Sequence, residues 1–345
     1  MSGYEDIRNI FESFEDIQSK FIFEKRLMYS LSKDYKYINE MVISEMKRYD
    51  KDDIMMQLLN WICDKPVWIF GAGFAGSQIA HVLMLKGITV CGIIDNDTNK
   101  WGGKIFGIEI NSPKKIQKDD YVIIGTNASR IEIKEQLISI GVKHDHVFVP
   151  DKLWWLGRDC QYYDSDVIKS IGQEVFIDGG ALDGGDSINF IEWCNGLYDK
   201  IYAFEPDKDN FLKLKRTTEN LDDFYIIEKG MWSKSKKLKF SSGKSENSII
   251  SDDGDIEIDV ISVDEVLEGK PVTYIKMDIE GSEMEALIGA EQTIKKYKPR
   301  LAICVYHKPE DIIDIPKKIL EMNPNYKLYL RHYSYVDTET VLYAV

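Results

Sequence analysis

The stretch Val175-Phe-Ile-Asp-Gly-Gly-Ala-Leu-Asp-Gly-Gly-Asp-Ser187 leaves the backbone few choices. An apolar run closing on an acid reads as a buried strand. The glycines that follow permit a tight turn, and the residues from Gly185 onward open a helix. Ile201-Tyr-Ala-Phe-Glu-Pro206 reads as the next strand, closing on Glu205. Asp178 and Glu205 are 27 positions apart, room for loop, helix and strand. This is a βαβ unit, whose glycine loop cradles an adenosine-bearing ligand.

The polar groups around that loop narrow the ligand. Gly180 and Gly184 let the backbone come close to it, with Ala181 between them. Free N–H groups at the helix start near Ser187 suit a carboxylate, and Glu205 can accept hydrogen bonds from both ribose hydroxyls. Asp178, Asp183 and Asp186 make the loop acidic. A pyrophosphate is repelled there, whereas an ammonium and a sulfonium are attracted. The expected cofactor is therefore S-adenosylmethionine rather than NAD, and the expected chemistry methyl transfer rather than hydride transfer.

At 345 residues two domains are expected. A net charge of −14 argues against a general affinity for nucleic acid. No apolar run reaches the ~20 residues of a membrane span, and the first residues lack the pattern of a signal peptide. Cys63, Cys91, Cys160, Cys194 and Cys304 show no metal-binding spacing; four sit in or beside apolar runs and read as buried free thiols. A reduced, cytoplasmic protein is expected.

Four regions follow. Residues 1–65 read as a helical arm in which Ile7, Ile10, Phe14, Ile17 and Phe21 share one face. That face either packs on the neighbouring domain or serves a homodimer. Residues 66–150 read as a Rossmann-like domain. Its strand Val67–Phe70 leads into Gly71-Ala-Gly-Phe-Ala-Gly76, and its next strand closes on Asp95. Gly71, Gly73, Gly76 and Asp95 form a candidate second nucleotide site. Residues 151–173, rich in Trp and Tyr, read as a packed linker. Residues 174–345 read as a second α/β domain with strands at 174–178, 200–205, 224–228, 257–263, 272–278, 300–305, 326–331 and 340–345. The last two are expected to form a hairpin.

The blocks F-I-D-G-G-A-L-D-G-G-D-S, A-F-E-P-D, I-K-M-D-I-E-G-S-E-M-E-A-L-I-G-A and K-P-R-L-A-I-C-V-Y-H-K-P-E-D, in this order and spacing, resemble the FkbM methyltransferase family. The resemblance covers roughly residues 174–345. It implies a class I methyltransferase sheet and S-adenosylmethionine-dependent O-methylation, often of sugar hydroxyls in glycans or natural products. Leu182-Asp183 and the additional Gly185-Asp186 depart from the commoner pattern of the cofactor loop.

A sugar hydroxyl is a poor nucleophile and needs a base or a metal ion to shed its proton. Asp278, at the carboxyl edge of a parallel strand, is the first candidate, with Glu280 beside it and His307 after the following strand. Glu283 reads as a first-turn structural residue, and His332 as a weaker candidate base. Asp278 and Glu280 could hold Mg²⁺, with no third ligand evident. The acceptor is expected to meet the polar stretch Ser241–Asp255. The competing readings are an NAD(P)-dependent oxidoreductase and a nucleotide-sugar-binding protein, both using Gly71–Gly76.

Overall fold

The computed structural model describes residues 3–49, 53–63, 65–126, 129–150, 156–157, 160–241, 249–250 and 256–345. Most of the stretch 241–255, expected to meet the acceptor, and most of the linker's tryptophan-rich start lie outside them. The chain forms two compact units. One comprises Met1–Tyr37, Asp159–His332 and Thr338–Val345; the other comprises Ile38–Arg158 and Tyr333–Asp337. The expected arm of residues 1–65 is thus divided between the units rather than forming a region of its own.

The unit built on residues 38–158 carries strands β1 (Val67–Phe70), β2 (Val90–Ile94), β3 (Lys104–Ile105), β4 (Ile108–Asn111), β5 (Tyr121–Ile124) and β6 (Val147–Phe148). Their order is β3-β4-β2-β1-β5-β6, parallel except for β3 at the edge. The central strands are apolar nearly throughout because both faces are covered. Helix Asp53–Ile62 joins this unit: the Trp61 indole N–H donates to the Asp145 carbonyl at 2.8 Å, and its ring lies against Tyr121.

The other unit contains β7 (Glu174–Gly179), β8 (Tyr198–Phe204), β9 (Phe224–Ile227), β10 (Gly230–Met231), β11 (Lys236–Ser241), β12 (Ile249–Ile250), β13 (Ile256–Ile261), β14 (Tyr274–Met277), β15 (Arg300–Cys304), β16 (Leu328–His332) and β17 (Thr340–Ala344). Seven of them form one sheet, β16-β17-β15-β14-β7-β8-β9. From β15 to β9 all pairings are parallel, while β17 runs antiparallel to both of its neighbours. The expected strand at 257–263 is not in this sheet. It becomes β13 of a separate sheet, β10-β13-β11-β12, whose alternating strand Lys236–Ser241 escaped the sequence reading. Strand order reverses between β7 and β14, so a crevice opens at their carboxyl ends.

Helices Tyr4–Ser13 and Ile17–Ser32 belong to this unit and pack on β16 and on helix Asp311–Met322. Ile10 and Phe14 are buried by this packing, whereas Ile17 of the expected apolar face is exposed. Asp16 caps the second helix and holds the Arg331 guanidinium through two contacts, 2.6 and 3.3 Å. Ser19, fully buried, accepts from the Leu330 N–H and from Arg331. All five cysteines are free. Cys194 and Cys304 are buried, but Cys63 and Cys91 are exposed, Cys91 on the outward phase of β2.

Among the described residues no helix is long and apolar enough to cross a membrane. Replacing Arg331 with Ala leaves Ser19 and Asp16 without their cation and should lower stability by about 2 kcal/mol, read from urea unfolding. Asp16→Asn should cost less, because Asp16 is partly exposed.

Candidate active site

The glycine loop expected to hold the cofactor follows β7, and a buried lysine reaches its Gly180 carbonyl. The register pairs Lys276 of β14 with Asp178 of β7. Lys276 Nζ lies 3.0 Å from Asp178 Oδ1, 3.0 Å from the Gly180 carbonyl oxygen and 3.1 Å from Asp186 Oδ2. Its burial favours loss of the proton, but Asp178 and Asp186 outweigh this and hold the ammonium charged. Burial pushes the Asp178 carboxyl up, opposed by Lys276. The other Asp178 oxygen accepts from Ser187 Oγ at 2.6 Å. Asp178 and Ser187 are fully buried, so they brace the loop and helix rather than face a ligand.

Gly180 has φ +75°, and a Cβ there would meet the Asp278 carbonyl oxygen at 1.9 Å. Glycine is therefore required where the cofactor loop touches the turn after β14. The N–H groups of Gly180 and Ala181 both donate to the Phe204 carbonyl, and Gly184 opens helix Gly185–Trp193. Glu205 accepts from the Leu182 N–H at 2.9 Å and the Asp207 N–H at 2.8 Å. Burial raises its pKa to about 7, against the lowering effect of those two donors.

The expected electrostatics of the loop need correcting here. Asp178 and Asp186 share Lys276, so two of the three acids do not act as free negative charges. Asp183 accepts from the Gly185 N–H and sits at the exposed side of the turn. Lys276 was legible as part of a motif, but its place beneath the loop depends on strand register.

The second cluster gathers at the carboxyl ends of β14 and β15. Asp278 Oδ2 accepts from the Tyr162 hydroxyl at 2.7 Å, and Oδ1 from the Tyr306 hydroxyl at 3.4 Å. Tyr306 also reaches Glu339 Oε1 at 3.3 Å. Burial pushes the Asp278 carboxyl up, but His307, Lys276 and Tyr162 prevail and hold it below its usual value. His307 Nε2 lies 3.5 Å from Asp278 Oδ1 and 3.6 Å from Glu280 Oε2, and Nδ1 lies 3.0 Å from Glu283 Oε1. Burial lowers the His307 pKa, but Glu283, Asp278 and Glu280 together raise it to about 9. Burial raises Glu280 to about 7, against the pull of His307.

The structure brings Asp278, Glu280 and His307 together, as the sequence pairing anticipated for the first two. It adds Tyr162, Tyr306 and Glu339, which sequence reasoning missed; the aromatic density before Gln173 was the available signal. Glu283 is fully buried, and its Oε1 accepts from the N–H groups of Ile279 and Gly281, which locks the turn. His332 lies apart from this cluster. It is fully buried in the sheet, opposite Thr340, with Nδ1 3.0 Å from the Thr340 hydroxyl. Asp278, Glu283 and His307 offer donor atoms all within 4.8 Å of one another. This is a mixed nitrogen and oxygen set, unlike the all-oxygen pair expected for Mg²⁺.

In the other unit, Gly71, Gly73 and Gly76 form the turn between β1 and helix Phe74–Leu85. A Cβ on Gly76 would lie 1.8 Å from the Gly71 carbonyl oxygen, so this glycine serves close packing of the turn. Asp95 folds back on the same turn. It accepts from the Ala72 N–H at 2.7 Å, from Lys100 Nζ at 3.1 Å and from the Asp97 N–H at 2.8 Å.

Residues 178–336 match the Methyltransferase FkbM domain, and residues 63–148 match the family described as C2185-like, N-terminal. The chain is similar to the hexuronic acid methyltransferase AglP of Haloferax volcanii, 28% identical over 174 residues, 48% of this chain and 72% of the relative. Its fold is similar to that of the FkbM methyltransferase from Methylobacillus flagellatus KT, with a TM-score of 0.50 and 18% identity, over 90% of this chain and all of the other. Residues 178–336, the part of the chain that matches the Methyltransferase FkbM domain, carry the glycine loop after β7 together with Asp278, Glu280 and His307.

Proposed function

We propose that the β7–β14 crevice binds S-adenosylmethionine and transfers its methyl group to a hydroxyl of a sugar or glycan precursor. One observation carries the reading: Gly180 of the cofactor loop packs against the Asp278 carbonyl. Cofactor and proton-accepting groups are thereby brought to one edge of one sheet. Glu205 would hold the ribose hydroxyls, and the start of helix Gly185–Trp193 the methionine carboxylate. The cofactor, when bound, supplies an electrophilic methyl group.

The chain's own part is to position the acceptor and take its proton. Glu280 is more open than Asp278 or His307, its side chain 35% exposed against 22% and 10%. It is the proposed base. Asp278, fixed by Tyr162 and Tyr306, orients the acceptor. His307, with both ring nitrogens facing protein carboxylates, is not placed to reach an acceptor proton. The sugar class is supported by the relative named for hexuronic acid. Methyl transfer is assigned to this crevice rather than to Gly71–Gly76, because the match to the Methyltransferase FkbM domain covers residues 178–336 and residues 63–148 match a different family.

Radiolabelled methyl transfer from S-adenosylmethionine to a panel of sugar hydroxyl acceptors tests the assignment. Glu280→Gln should lower kcat by about 10²- to 10⁴-fold while sparing cofactor affinity. Equal loss of cofactor affinity would remove Glu280 from the role of base. Glu205 gives a second, independent readout. Its ionised form has more acceptor capacity for ribose hydroxyls than its protonated form. S-adenosylhomocysteine should therefore bind more tightly as pH rises through about 7, and Glu205→Gln should flatten that dependence. Calorimetric titration across this range checks it.

A further inference from the structure

Three polar atoms in the Asp278 cluster are buried and lack a hydrogen-bond partner: both ring nitrogens of His307 and Oε2 of Glu283. Carboxylates surround His307, but burying such atoms without an aligned hydrogen bond is costly, and their convergence in one place asks for a further partner. The His307 side chain is nine-tenths buried and that of Glu283 completely so. Nε2 sits 3.5 and 3.6 Å from its neighbouring carboxylate oxygens, beyond a good hydrogen bond, and Nδ1, though 3.0 Å from Glu283 Oε1, is misaligned for one.

We propose that Asp278, Glu283 and His307 bind one divalent transition-metal cation of the Mn²⁺ or Zn²⁺ kind. The donors are two carboxylates and one imidazole, with all ligand atoms within 4.8 Å of one another. That set suits a borderline cation better than Mg²⁺ or Ca²⁺, which seek oxygen alone. The ligands are themselves held from behind, as metal ligands require. Tyr162 fixes Asp278 at 2.7 Å, and the Ile279 N–H fixes Glu283 at 2.9 Å. Three protein ligands leave coordination positions for water or for an acceptor hydroxyl, which the cation would make more acidic beside Glu280.

The catalytic use of the cation rests on the methyl-transfer reading, but its binding does not, so the test measures binding without cofactor or acceptor. The full chain, stripped with a chelator, is titrated with MnCl₂ while the electron paramagnetic resonance signal of free Mn²⁺ is followed. One ion should bind per chain, and His307→Ala should weaken binding by about tenfold or more. Glu283→Gln should weaken it too; because that change can disturb the turn, His307→Ala, checked by circular dichroism, carries the decision. No binding by the wild-type chain, or equal binding by folded His307→Ala, overturns the proposal while leaving the cofactor assignment standing. Metal binding without any binding of S-adenosylhomocysteine would overturn the cofactor assignment instead.

Discussion

The site depends on one buried cation. Lys276 ties the end of β7, the carbonyl of Gly180 and the first turn of helix Gly185–Trp193 to the strand that carries Asp278. An ammonium is tolerated in such a place only when carboxylates surround it and its donors are used. Here two carboxylates and a carbonyl meet that need. The same contacts set the shape of the cofactor loop, so the folding requirement of Lys276 and the binding requirement of the loop are met by one arrangement. Glu205 works alongside it from the end of β8, accepting from the Leu182 N–H of the loop and from the Asp207 N–H.

The two glycine loops of this chain show how little a motif says before its neighbours are known. In the loop after β7 the acids are drawn inward by Lys276, and the backbone turn is left lining the crevice. In the loop after β1 the acid of the next strand, Asp95, bonds directly to the Ala72 N–H. Lys276 reaches the first loop through the Gly180 carbonyl, whereas at the second Lys100 pairs with Asp95. In both, the downstream acid accepts from a loop N–H and from the N–H two residues further on, Glu205 from Leu182 and Asp207 and Asp95 from Ala72 and Asp97, so it is Lys276 under the first loop that separates them.

The local pattern made the βαβ unit at Val175–Pro206 legible, because strand periodicity, glycine spacing and the closing acid all lie within about thirty residues. The cluster of Asp278 and Glu280 was legible for the same reason. What escaped was long-range. Lys276 meets Asp178 across 98 positions, and Tyr162 meets Asp278 across 116. Neither pairing has a sequence signal, because both arise from strand register and from the path of the chain before β7. The N-terminal helices show the same division. Their apolar face was readable from spacing, but the partner of that face, β16, lies some three hundred residues away, as does Arg331, which fixes Asp16. Glu283 was read as a structural residue. It does lock its turn, and its second oxygen, which no turn hydrogen bond uses, became visible only with His307 beside it.

The central claim is that Lys276 holds the cofactor loop in its binding shape. Calorimetric titration of Lys276→Met with S-adenosylhomocysteine, beside the wild-type chain, tests it most directly. With the fold retained by circular dichroism, affinity should fall by about tenfold or more, because the loop loses its anchor while Asp178 and Asp186 are left facing each other. Unchanged affinity in a folded Lys276→Met protein would contradict the account and move the origin of the loop's shape to the glycines alone.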